Sequence, residues 1–395
     1  MVKHASLFSQ LIALIDRKKF HELVYRHNSE RFAKKFNSWE HFVSMLFCQL
    51  GQAKSLREIC GGLACCMGKL KHIGMKSAPN KSTLSYANAH RPWEMFQDLF
   101  YVTLDQCKMA APGKHKFRFK NKLLSLDSTT ISLCLSLFPW AKFRRTKGAV
   151  KLHLLLDHDG YMPDYAYISN GKKHDVTVAH KLSLSPGSII TMDRAYNDYQ
   201  LFAYWTDNGI YFVTRLKSNA DYCVVQDFDI PQNRNILSDQ LIRFTGQQAQ
   251  KQCLHLMRKI VVWDKINEQQ LVLLTNHLEF GATTISAIYK DRWQIELFFK
   301  ALKQNLKVKT FVGTSENALY IQIWTALIAM LIVKYLQFKS KFNWSLSNLV
   351  AFLRWNFFTY RDLWEWINSP FDILPIEPQS VQYSLPLSGV GQHLY

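Results

Sequence analysis

The apolar positions of the first 110 residues recur at spacings of three and four. "SWEHFVSMLFCQL" and "PWEMFQDLFYVTL" each carry one such stripe and predict long helices. Between them, "SLREICGGL" and "NKSTLSYANAHR" predict two shorter helices separated by Gly- and Pro-containing turns, with Ser82 or Thr83 as the N-cap of the second. A helix-turn-helix and a plain helical bundle with a basic surface both fit this pair. Near Asn121 the period changes to two. "KLLSLDSTTISLCLSL" alternates, and "VKLHLLLDHDGYMPDYAYIS" reads as a hairpin turning at "DHDG". "TVAHKLSLS" predicts a short helix and "SIITMDRAY" a short apolar strand. "DYQLFAYWTDNG" and "IYFVTRLK" then read as helix and strand. Strands in succession, then alternating with helices, predict a mixed sheet with helices packed on it.

From Ser218 to Thr284 the pattern is strand-rich again. "DYCVVQDFDI", "QLIRFTG", "QCLHLMRKIVVWD" and "QQLVLLTNHL" read as strands joined by polar turns, a β-rich insertion. "YKDRWQIELFFKALKQNL", Tyr289 to Leu306, reads as one helix. Ala318 to Leu336 is apolar enough and long enough to cross a membrane, but Gln322 and Thr325 interrupt it. It reads as a helix buried in a large core, with no membrane involved. The Pro-rich tail reads as irregular.

Charge adds a partner to this picture. Forty-nine Lys and Arg against thirty Asp and Glu give a net charge of +19, which points to a polyanion, nucleic acid above all. Residues 1–120 hold 20 basic and 8 acidic side chains. A second basic run, "FPWAKFRRTKGAVK", offers Arg144, Arg145 and Lys147 as phosphate contacts. The eight cysteines are scattered without a C-x-x-C pair, and the N-terminus reads as an amphipathic helix rather than a signal peptide. Reduced thiols and a cytoplasmic location are expected. "GGLACCMGKL" has Leu63 and Leu70 where a phosphate-binding loop needs Gly and Ser or Thr, so no ATP use is expected.

Three acids carry the candidate chemistry. Asp127 interrupts the apolar run "LLSLDSTTISL", and Asp193 ends the run "SIITMDRAY". An acid at a buried strand end is costly unless paired, hydrogen-bonded or bound to a metal; Asp193 with Arg194 is one such pairing. Glu296 borders the apolar face of its predicted helix. With Tyr289 at zero, Arg292, Glu296 and Lys303 fall at roughly 300°, 340° and 320°, a narrow polar stripe beside the apolar one. An Arg292–Glu296 pair at i,i+4 spacing accounts for the charges but not for their confinement. Three carboxylates in a basic surround can instead hold one or two Mg²⁺ ions. Two such ions about 4 Å apart can serve phosphodiester chemistry.

These motifs resemble the DDE transposases of bacterial insertion sequences, and in particular insertion-sequence family four. "LLSLDSTTI" is similar to the family's first-aspartate strand and "IITMDRAY" to its second. "YKDRWQIELFFKALKQNL" matches the signature Tyr-x2-Arg-x3-Glu-x6-Lys at Tyr289, Arg292, Glu296 and Lys303. Asp193 follows Asp127 by 66 residues, and Glu296 follows Asp193 by 103, the longer interval holding the β-strand insertion.

The resemblance implies a ribonuclease-H-like α/β core with a mixed sheet, a β-rich insertion before the last catalytic residue, and an all-α N-terminal domain. Residues 1–115 would be a basic, DNA-binding helical domain. Residues 116–217 and 285–367 would form the catalytic core, 218–284 the insertion and 368–395 the irregular tail. Asp127, Asp193 and Glu296 would hold Mg²⁺, two ions, with Mn²⁺ able to substitute. Tyr289, Arg292, Lys303 and Arg194 would contact DNA, and Trp263 would receive a flipped base. The partners implied are double-stranded DNA, namely the terminal inverted repeats and the target, and a second copy of the chain in the synaptic complex. The resemblance further implies a bacterial, nucleoid-associated protein. A domesticated nuclease that cuts without joining and a non-catalytic DNA-binding relative are the alternatives.

Overall fold

A computed structural model describes residues 5–371 except Phe32, Met67, Gly68, 112–115, Arg145, Thr146, Asn233 and Lys309. The tail from 372 lies outside the described residues. Among the described residues, six α-helices come first: α1 (Leu7–Ile12), α2 (Arg17–Arg26), α3 (Ser38–Gly51), α4 (Leu56–Ala64), α5 (Lys81–His90) and α6 (Glu94–Ala110). The start of α3 is fixed by a capping box, in which Asn37 and Glu40 exchange side-chain and backbone bonds. The second predicted short helix begins one residue before Ser82, at Lys81, with Asn80 in the cap position, so neither Ser82 nor Thr83 caps it. Residues 65–80 separate α4 from α5 and include a 3₁₀ turn, far longer than the tight turn of a helix-turn-helix.

Among the described residues, ten strands form one mixed sheet. They are β1 (Leu123–Leu133), β2 (Lys142–Arg144), β3 (Lys147–Asp157), β4 (Met162–Asn170), β5 (Ile189–Met192), β6 (Tyr211–Arg215), β7 (Tyr222–Asp227), β8 (Ile236–Phe244), β9 (Met257–Asp264) and β10 (Gln269–Thr275). β4, β3 and β1 run antiparallel, whereas β1, β5 and β6 run parallel. The short β5, "IITM", is buried throughout, as a strand with both faces covered must be. β10 pairs antiparallel with β6, so β7–β10 extend this sheet instead of forming a separate one. One predicted strand, "QCLHLMRKIVVWD", starts later than its sequence suggests: its first residue, Gln252, ends a short helix, Gln247–Gln252, and β9 starts at Met257.

Helices cover both faces. α7 (Asp175–Ala179), α8 (Tyr199–Asp207) and α9 (Gln247–Gln252) lie on one side. On the other lie α10 (Ala282–Asp291), α11 (Trp293–Asn305), α12 (Glu316–Lys339), α13 (Leu346–Asn356) and α14 (Leu363–Asn368). The continuous helix predicted from Tyr289 to Leu306 is two helices. Arg292 N donates to Tyr289 O at 3.2 Å, and Ile295 N donates to Arg292 O at 3.1 Å. These i→i+3 bonds tighten the chain into a 3₁₀ step between α10 and α11.

The apolar α12 is the one candidate membrane span among the described residues, and 83% of its most hydrophobic window is buried inside the protein. Its two polar interruptions are satisfied there. Thr325 bonds back to Ile321 O at 2.7 Å. Gln322, fully buried, donates to Lys307 O and Thr310 O at 2.7 Å each and accepts from Val312 N at 2.9 Å. Gln322 therefore clamps the loop that leaves α11. Gln322→Leu would leave three backbone groups of that loop without their partner and is expected to destabilise the protein by ~2 kcal/mol. An unchanged urea midpoint would refute that role.

Candidate active site

β1 and β5 are parallel neighbours, with Leu126 opposite Met192. The next residues, Asp127 and Asp193, therefore leave adjoining strands at the same end of the sheet. β5 stops there while β1 continues against β3 alone, so the sheet opens beside Asp127. A ligand site at the carboxyl ends of parallel strands follows from this geometry. Asp193 Oδ1 accepts from Arg194 N at 2.7 Å and caps a 3₁₀ turn, a backbone bond in place of the side-chain ion pair considered from sequence. The Arg194 side chain is exposed.

Glu296 reaches this site from α11 through Arg292. The Arg292 guanidinium lies 2.6 Å from Glu296 Oε1 and 3.7 Å from Asp127 Oδ2. It is only 12% exposed and lies 5.7 Å above the centre of the buried Tyr289 ring. The i,i+4 pair read from the sequence is thus present, and it bridges two of the three carboxylates. Lys303, two turns further on, donates to Thr129 Oγ1 at 2.5 Å and to Thr130 O at 3.2 Å. Those bonds pin α11 against β1 just past Asp127.

The electrostatics show the strain of this crowding. Burial pushes the Asp127 carboxyl up to about 6, and the nearby Glu296 and Asp193 add to the rise. The Ser128 amide and Arg292 oppose it without reversing it. Burial would lower Arg292, but Tyr289, Glu296 and Asp127 outweigh it and hold the guanidinium above its usual value. Burial also raises the Tyr289 phenol, which stays neutral.

Two polar groups beside the carboxylates were not singled out from the sequence. Asp175, at the start of α7, accepts from Ser128 Oγ at 2.8 Å and from Lys151 Nζ at 3.1 Å. It also lies 3.5 Å from His153, whose pKa burial lowers to about 4. This cluster braces β1 and β3 on the face opposite α11. The second group is a chain of bonds from Ser125 through His158 to Asp291. Only the alternation of Ser125 with Asp127 on one strand face hinted at it.

Among the described residues, no three His, Cys, Asp or Glu side chains stand close enough to grip a metal ion as they are placed. The donor set nonetheless fits a hard divalent cation. Asp127 and Asp193 offer oxygen at adjoining strand ends, Glu296 is linked to Asp127 by one guanidinium, and the Asp127 carboxyl stays raised although that guanidinium lies 3.7 Å away.

Other predicted contacts lie apart from this cluster. Trp263, which the resemblance implies as the receiver of a flipped base, is 37% exposed on β9. Lys147 is exposed at the start of β3. The backbone of Arg144 lies in β2, while its side chain and all of Arg145 are outside the described residues. A cavity of about 640 Å³ opens in the N-terminal helices, between α5 and the loop after α2. It is lined by His27, Arg31, Lys34, Lys35, Tyr86 and His90 among others. The Tyr86 and His90 rings stack at 4.0 Å, and Tyr86 is 58% exposed.

Residues 118–332 match the family profile described as a transposase DDE domain, and residues 3–76 match a domain of unknown function, DUF4372. The chain is 29% identical over 276 residues to a Geobacillus stearothermophilus protein named "Probable transposase for insertion sequence element IS5377", covering 69% of this chain and 72% of that one. It is 29% identical over 263 residues to a Sinorhizobium fredii protein named "Putative transposase y4zB", covering 65% and 71% respectively. Among solved structures it is similar to the piggyBac transposase synaptic complex with hairpin DNA, at 12% identity and a TM-score of 0.44, over 89% of this chain and 79% of that one.

Proposed function

Because this chain belongs to the DDE transposase family, enzymes that cleave DNA and transfer strands, we propose that Asp127, Asp193 and Glu296 are its catalytic carboxylates. The observation that carries this reading is the convergence of the two aspartates at one end of β1 and β5, with Glu296 joined to Asp127 through Arg292. The strand order supports a ribonuclease-H-like core, since antiparallel β4, β3 and β1 are followed by parallel β1, β5 and β6. The Tyr289, Arg292, Glu296 and Lys303 series supports membership of insertion-sequence family four.

The three carboxylates would hold divalent cations, Mg²⁺ or Mn²⁺, which when bound activate an attacking oxygen and stabilise the departing one. The remaining work falls to side chains of this chain. Lys303, anchored at Thr129 and Thr130, sets an ammonium beside Asp127, where a backbone phosphate would lie. Arg292 takes up phosphate charge once it is released from Glu296, and the Tyr289 ring beneath it limits its swing. The substrates are the terminal inverted repeats of its element and then target DNA, and synapsis of two ends requires at least two copies of the chain. Strand transfer of a labelled end in Mg²⁺ separates a transposase from a nuclease that only cuts.

The N-terminal helices hold the DNA beyond the active site. α5 buries only Leu84, Ala87 and Asn88, contains no acid, and exposes Ser82, Ser85, Tyr86 and His90. Lys34 and Lys35 line the cavity at its side. Replacing both with Gln is expected to flatten the slope of log K against log salt by about 2, with ~10-fold weaker duplex binding near physiological salt. An unchanged slope would move the phosphate contacts elsewhere.

A further inference from the structure

Ser125, His158 and Asp291 form a continuous buried chain. Ser125 Oγ lies 2.6 Å from His158 Nε2, and His158 Nδ1 lies 2.6 Å from Asp291 Oδ2. Asp291 also accepts from Lys116 Nζ and, at 3.2 Å, from the Tyr161 hydroxyl. Burial pushes the Asp291 carboxyl up, but its bonds to His158 and Lys116 more than reverse this and hold it below its usual value. Asp291 is therefore an ionised acceptor, which makes Nδ1 of His158 the donor of that bond.

The order serine, histidine, aspartate is that of a hydrolase triad, but the setting excludes that chemistry. Ser125 is fully buried and Asp291 is 2% exposed, so no substrate carbonyl reaches the hydroxyl. The chain instead connects two elements that must be held in register. Ser125 precedes Asp127 by two residues and shares its strand face. Asp291 is the last residue of α10, directly before the 3₁₀ step at Arg292 that leads to Glu296. His158, at the β3–β4 turn, is itself fixed by donating its backbone N–H to Leu123 O at 3.0 Å.

We propose that Ser125, His158 and Asp291 are positioning residues, a strut that sets the separation between Asp127 on β1 and Glu296 on α11. Stability alone does not account for such a group. A buried set of charged and polar side chains is often no more stable than apolar residues of the same volume. A directional bond chain, however, permits one spacing where apolar contacts permit several. The spacing matters here because catalytic groups displaced by about 1 Å lose ~100-fold in rate. The inference rests on Asp127 and Glu296 being the catalytic carboxylates.

The test uses the full-length protein carrying Ser125→Ala, which cuts the strut at its first link and leaves His158 and Asp291 paired. Asp291→Asn is the second variant. Both are compared with wild type and with Glu296→Gln. Three quantities are measured well below the unfolding transition: end-DNA affinity, cleavage rate against Mn²⁺ concentration, and Mn²⁺ binding by paramagnetic resonance on the DNA complex. Ser125→Ala should lower the saturated cleavage rate ~10-fold and weaken Mn²⁺ binding several-fold in the resonance titration, with DNA affinity unchanged. A merely structural role would shift the urea midpoint and leave Mn²⁺ binding alone, and that result overturns the strut. If Glu296→Gln abolishes cleavage while Ser125→Ala matches wild type in rate and Mn²⁺ binding, the strut fails and the active site stands. If Glu296→Gln cleaves normally, the active site and the strut both fall.

Discussion

Glu296→Gln is expected to cut end-DNA cleavage by at least ~1,000-fold, about 4 kcal/mol of transition-state stabilisation. DNA binding should stay within about twofold, since the change removes one carboxylate from a strongly basic surface. Gln keeps the size and hydrogen-bonding reach of Glu, so α11 and its contacts should survive. It even keeps an oxygen for Arg292, now as a neutral acceptor in place of the 2.6 Å ion pair. What it loses is the negative charge that a divalent cation needs from its ligand. The measurement is single-turnover cleavage of a labelled terminal repeat in Mg²⁺ and again in Mn²⁺. Cleavage at more than a tenth of the wild-type rate would remove Glu296 from the chemistry and leave it as the partner of Arg292 alone.

The reason Glu296 stood out in the sequence is that it is local. Its stripe with Arg292 and Lys303 follows from helical period, and the ion pair to Arg292 survives although a 3₁₀ step divides the helix. The uniform wheel could not place Tyr289 relative to Glu296, because it assumes a constant angle across that step. Asp127 and Asp193 were legible for a different reason, as acids that break apolar runs. Their adjacency was not, since strand pairing between β1 and β5 depends on contacts far apart in the chain. The Asp175 cluster and the Ser125–His158–Asp291 strut stayed hidden because each joins residues tens to more than a hundred positions apart. No single residue in either group is unusual in its own segment. The joining of β10 to β6 was hidden likewise: period two announces strands but does not name their neighbours.

Asp127→Asn is expected to abolish cleavage and yet stabilise the DNA-free protein at neutral pH. Asp127 is 20% exposed by side chain, and burial with two nearby carboxylates holds its pKa at about 6, against 3.8 for the free group. The folded protein therefore binds this proton more tightly than the unfolded chain does. Stability that is complete below about pH 4 is lost as pH rises through about 6. Roughly two pKa steps correspond to about 3 kcal/mol by neutral pH. Asn is isosteric and carries no charge, so it escapes that loss. Its advantage in urea denaturation should be full above about pH 7, shrink between about pH 6 and pH 4, and vanish below. Loss of the attraction to Arg292 is already contained in the net shift, because that attraction lowers the same pKa. Excess Mg²⁺ should narrow the gap by stabilising wild type more than the variant, since only wild type keeps the full carboxylate set. A variant no more stable than wild type at neutral pH would mean that Asp127 is relieved by its neighbours and carries no strain. A gain that persists unchanged at about pH 4 would assign the stabilisation to packing. The predicted pattern, stability lost in proportion to ionisation and regained with a cation, is that of a carboxylate kept for its charge against the preference of the fold.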